Sequence, residues 1–88
     1  MLRAVQTEAI EYDISPWQHM LVDPFKRCIE RFGRVEDAFV VARGSDRVVY
    51  YNDVEDVFGT AKEAGTMLID CGDYGPLILA LREAEAGN

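Results

Sequence analysis

An 88-residue chain that is 49% apolar and 28% charged holds enough apolar material for one modest core, so a single domain over 1–88 is expected, globular rather than disordered. Its net charge of −7 argues against a general affinity for nucleic acid or anionic membrane, because a field of that sign repels both and attracts basic partners. Two cysteines, Cys28 and Cys71, without CxxC partners, and a single histidine, His19, form neither a disulfide framework nor a zinc pattern, and no metal or other cofactor is expected.

The N-terminal stretch MLRAVQTEAIEYDI lacks the uninterrupted apolar core of a secretory signal, and no apolar run approaches the ~20 residues of a membrane span. The cytoplasm is therefore the expected location. Ile10, Tyr12 and Ile14 alternate with Glu11 and Asp13, which reads as a strand; Leu2, Val5 and Ala9 fit a helical turn instead.

In SPWQHMLVDPFKRCIERFG, Ser15 can cap a helix and Pro16 suits its first turn. Trp17, Met20, Leu21, Phe25, Cys28, Ile29 and Phe32 recur at threes and fours, a helical stripe over about 16–33. Pro24 would kink or break that helix at a cost of ~3 kcal/mol. Either one kinked helix or a short turn followed by a fresh helix capped by Asp23 satisfies the pattern; the second is preferred. Gly33 ends it in both cases.

EDAFVVARGSDRVVYYN reads as a hairpin over about 37–52, with two β-rich runs flanking a glycine-containing turn. After it, Asn52 can cap a helix over 53–64. Glu55 stands three residues on, acids fill the first turn, and Val54, Val57, Phe58 and Ala61 share a face; Gly59 is the blemish, up to ~1 kcal/mol against alanine. TMLID is a short strand over about 66–70, and CGDYGP is a turn. Residues 76–86 read as a helix with Pro76 in its first turn. The expected fold is α+β: a small, mainly antiparallel sheet packed by two or three helices.

The sequence offers little catalytic chemistry. His19 is the only imidazole; Asp23 lies within helical reach of it, whereas Cys28 does not and suits a buried thiol. The acid pairs Asp53/Asp56 and Asp70/Asp73 sit beside turns, where carboxylates belong for structural reasons. Lys26, Arg27, Arg31 and Arg34 would lie on one helix, with the three arginines on one face able to touch phosphates, but a solvated outer face explains them as well.

Charge is uneven along the chain. Residues 1–47 hold eight acids and seven bases; residues 48–88 hold eight acids and only Lys62 and Arg82. The sequence thus points to a non-enzymatic protein-binding module with an acidic face built from Asp53, Glu55, Asp56, Glu63, Asp70 and Asp73, with contact area added by Tyr51 and Tyr74. Its partner would be a basic protein, such as one that itself binds nucleic acid. The chain would then act as a stoichiometric inhibitor of the antitoxin, immunity or phage anti-defence kind. Two alternatives use other residues: a homodimer or oligomerisation domain with an apolar helix face around Trp17 and Met20, and a small hydrolase using His19 or an acid pair.

Overall fold

The computed structural model describes residues 2–86, with the backbone alone described at Arg31. It opens with α1 (Arg3–Glu11), then a 3-10 helix (Ser15–Met20), then five consecutive strands: β1 (Leu21–Arg31), β2 (Arg34–Arg43), β3 (Val48–Asn52), β4 (Val57–Ala64) and β5 (Met67–Gly75). The chain ends in α2 (Leu77–Ala86). Each strand pairs antiparallel with the next, and the sheet closes into a barrel. With an odd number of strands running up and down, the first and last point the same way, so the closure is parallel: Cys28 opposite Met67 and Ile29 opposite Leu68.

A closed five-stranded barrel corrects the expected small, mainly antiparallel sheet packed by two or three helices. The helix expected over 16–33 is a 3-10 turn followed by the eleven-residue strand β1. Its stripe misled because Phe25 and Ile29, four apart, share a face of a strand as readily as of a helix. Pro24, which has no N–H for a ladder, falls in the irregular stretch where the β1–β2 register shifts between Leu21 and Phe25. Phe32, placed in that stripe, instead occupies the β1–β2 turn with Gly33, almost fully exposed at 97%.

The helix expected over 53–64 is a turn at 53–56 and then β4. The side-chain oxygen of Asn52 does accept the N–H groups of Val54 (2.9 Å) and Glu55 (3.3 Å), the bonds of a helix cap. Asp56 then turns to φ +54°, outside the helical range, and β-branched and aromatic residues continue as a strand. The strand expected over 10–14 is also absent: α1 runs to Glu11, and Ile10 is exposed. The central hairpin and the final helix lie where the sequence placed them, and the strand expected over 66–70 extends to Gly75 as β5.

Two apolar cores result. Ile29, Ala38, Val40, Val48, Tyr50, Ala61 and Leu68, drawn from all five strands, fill the barrel. A second cluster joins the outer faces of β2, β3 and β4 to the helices: Val41, Ala42, Val49 and Phe58 pack with Val5, Ile14, Met20, Leu77, Ala80, Leu81 and Ala84. The register shift between Val40 and Ala42 lets both Val41 and Ala42 join this outer layer. α2 is pinned at both ends. Glu8 of α1 accepts the Leu77 N–H at 2.6 Å, placing a carboxylate at the positive end of the helix dipole. At the other end Gly44 passes so close that a Cβ there would stand 2.2 Å from the Ala84 carbonyl oxygen.

A candidate aromatic and acidic cleft beside the β3–β4 turn

Register builds the site. Phe39 on β2 lies opposite Tyr51 on β3, and Tyr51 lies opposite Phe58 on β4, so three aromatic residues form a row across the outer face. The Tyr51 and Phe58 rings are tilted at 43° with centroids 4.9 Å apart. Phe58 is buried, whereas Phe39 and Tyr51 keep part of their surface. The row floors an open cleft of about 620 Å³. Its lining also includes Leu2, Arg3, Ala4, Thr7 and Glu8 of the N-terminal segment, Asp53 and Asp56 of the β3–β4 turn, and Gly75 and Pro76.

Asn52 holds the turn that carries the two aspartates. It is fully buried, and besides accepting two backbone N–H groups it donates through Nδ2 to Glu36 Oε1 at 3.2 Å. Tyr51 Oη donates to Asp56 Oδ1 at 2.7 Å. That bond, reinforced by partial burial and by the negative charges of Asp56 and Asp53, pushes the phenol up to about 12. Tyr51 is therefore neutral and donating at any physiological pH.

Of the expected acidic face, Tyr51, Asp53 and Asp56 come together in this cleft, and Glu55 is exposed on the same turn. The others do not join them. Glu63 lies between Arg27 (3.3 Å) and Arg43, and Asp70 is held by Arg47, which bonds its carboxylate at 2.7 Å and its carbonyl at 2.8 Å. Asp73 accepts the hydroxyl of buried Tyr50 at 2.5 Å, and Tyr74 is partly exposed on β5. The acid-rich second half of the chain is thus interleaved with bases of the first half, because β4 and β5 lie beside strands and loops that carry them. Sequence segregation of charge is not spatial segregation here.

The expected basic stripe lies on β1 and the start of β2 rather than on a helix, and two of its members pair with acids. Arg27 pairs with Glu63, Lys26 approaches Asp37 at 3.7 Å, and Arg34 faces Arg31 across the hairpin; the Arg31 side chain lies outside the described residues. The apolar face expected around Trp17 and Met20 is used within the chain. Met20 is buried in the outer core, and Trp17 packs against that core while its indole N–H donates to Glu85 at 3.0 Å. His19 is exposed on the 3-10 helix, and Cys28 is half-buried rather than a core thiol. Among the described residues no group of three or more metal-ligating side chains forms a site, and no helix is long and apolar enough to cross a membrane.

Sequence reasoning misses Phe39, Phe58, Glu8 and Arg3. It puts Phe39 and Phe58 on hairpin and helix faces, and only the strand register sets them either side of Tyr51. No protein-family model matches the chain, and no curated protein or solved structure matches it.

Proposed function

We propose that this protein is a non-enzymatic binding module that docks on a basic protein through the cleft beside the β3–β4 turn. The observation that carries the reading is the meeting of Asp53 and Asp56 with the Phe39–Tyr51–Phe58 row in one concave surface. Aromatic area supplies contact energy and the exposed carboxylates supply steering, a combination suited to a lysine- or arginine-rich surface. The acidic face is narrower than the sequence implied, because Glu63 and Asp70 already neutralise arginines of the same chain. If the partner's basic surface is its own nucleic-acid groove, binding of this kind makes the chain a stoichiometric inhibitor.

The test begins with immobilised protein in cell lysate, washed with rising salt; a basic protein should elute at moderate ionic strength. With that partner purified, Asp53→Lys and Asp56→Lys should each weaken binding by about tenfold, chiefly through slower association. Affinity indifferent both to salt and to these two reversals would overturn the reading.

A further inference from the structure

We infer that the cleft is an arginine reader: its occupant is the guanidinium of an arginine side chain presented by the partner, in preference to a lysine ammonium. The inference rests on the binding reading above and specifies its ligand. The local charge favours a cation, since Glu8, Asp53 and Asp56 line the cleft against Arg3 alone among the described residues. Glu8 is committed in part to the Leu77 N–H, and Asp56 Oδ1 to the Tyr51 hydroxyl, which among the described residues leaves Asp53 and the second Asp56 oxygen as acceptors lining the cleft.

The floor decides between the two cations. A lysine ammonium is a compact, strongly hydrated charge that gains little from a ring. A guanidinium is planar and weakly hydrated, stacks on aromatic faces and presents a fork of donors to carboxylates. Tyr51 and Phe39 offer half-buried ring surface in the same cleft as the two aspartates, and the Tyr51 hydroxyl touches one of them.

The same molecule already uses this chemistry elsewhere. The guanidinium carbons of Arg27 and Arg43 lie 4.5 and 5.3 Å from the centroid of Phe25, and both arginines bond Glu63. There a ring and a carboxylate hold guanidinium groups from within the chain. The cleft repeats the ring-and-carboxylate pairing on an open surface. Arg3 on the cleft wall is a built-in competitor, since it brings a guanidinium of the chain itself to the same surface.

The test titrates the protein with three blocked pentapeptides, identical except for a central arginine, lysine or citrulline, and with methylguanidinium. Amide NMR shifts and calorimetry are the readouts. The arginine peptide should shift Tyr51, Asp53, Asp56 and Gly75, the lysine peptide should bind about tenfold more weakly, and the uncharged citrulline peptide should not bind. Tyr51→Leu should abolish the preference for arginine over lysine, and Arg3→Gln should tighten the arginine peptide severalfold.

Equal affinity for arginine and lysine peptides would overturn the arginine assignment while leaving a cation-binding cleft. No shift at the cleft with either charged peptide would overturn the binding reading itself. Methylguanidinium binding as tightly as the arginine peptide would overturn the assignment to a protein side chain. All four titrations use the unaltered protein, so the outcome does not depend on either variant folding.

Discussion

The hydroxyl of Tyr50, inside the barrel, donates to Asp73 on β5 at 2.5 Å, and it reaches that carboxylate by crossing Gly59 on the intervening strand. A Cβ on Gly59 would stand 2.6 Å from the Tyr50 hydroxyl oxygen and 2.4 Å from the Gly72 carbonyl oxygen. Glycine at 59 is therefore what lets a fully buried phenol find a charged partner at the barrel wall. Tyr50→Phe should cost about 1.5–3 kcal/mol, the range for a hydrogen bond to a charged group. Gly59→Ala should cost about 1–3 kcal/mol through overpacking. Combining the two should not relieve the alanine, because the Gly72 carbonyl remains in place. Denaturant midpoints of the two single variants and the double variant check this; a double variant more stable than Gly59→Ala would show that the Tyr50 hydroxyl, more than the Gly72 carbonyl, sets the constraint.

Asn52 is the second buried polar group on which the barrel depends. Its amide satisfies Val54, Glu55 and Glu36 at once, from a position with no exposure. Asn52→Ala leaves those groups without partners and should cost about 2–3 kcal/mol, at the upper end for orphaned polar groups. Asn52→Asp keeps an acceptor for the two N–H groups but sets a second carboxylate against Glu36, so its stability at neutral pH should fall between alanine and wild type. Equilibrium unfolding of both variants measures the order, and an aspartate variant less stable than alanine would mean that the Glu36 contact outweighs the turn.

These two residues also mark how far the sequence could be read. Local chemistry was legible in part: the Asn52 side chain makes the bonds of a cap although no helix follows it, a helix begins one residue after Pro76 rather than including it, and the residues around Gly44 turn between two β runs. The course of the chain after the Asn52 cap was not legible, since the same bonds begin a helix or close a four-residue turn, and the φ of +54° at Asp56 decides for the turn. β1 was hidden because a spacing of four between Phe25 and Ile29 satisfies both periods. The cleft was half legible. Tyr51, Asp53 and Asp56 are near in sequence, but Phe39 and Glu8 reach it only through strand register and helix packing. The ion pairs that remove Glu63 and Asp70 from the acidic face span 20 to 36 residues of chain, beyond any local pattern.

The Tyr51–Asp56 bond predicts a pH dependence. With its phenol raised from 10.0 to about 12, Tyr51 contributes stability that is fully present below pH 10 and is lost as pH rises toward 12, because the unfolded chain gives up this proton first. A spectrophotometric tyrosinate titration should show a late-ionising group that Tyr51→Phe removes. Asp56→Asn should bring that group back toward the ordinary range, since the carboxylate is the main cause of the shift. If Tyr51 ionises near 10 in the wild-type protein, the phenol does not hold Asp56 in solution, and the cleft's second aspartate is free to turn outward.

Phe32 is where sequence and backbone disagree most. It is the first residue of a two-residue turn closing β1 and β2, with φ +50°, followed by Gly33 at φ +75°. Two positive φ angles define a turn whose hand matches the twist of the strands, and asparagine followed by glycine is the pair that adopts it most readily. A non-glycine residue in this region ordinarily costs about 1–2 kcal/mol, a cost that asparagine offsets in part by local hydrogen bonding. Phe32 is 97% exposed, so replacing it forfeits no packing. Phe32→Asn should therefore stabilise the protein by about 1 kcal/mol, with the gain appearing as a higher denaturant midpoint at unchanged slope. A loss of stability would mean that the phenylalanine makes contacts in solution that this exposed position does not provide.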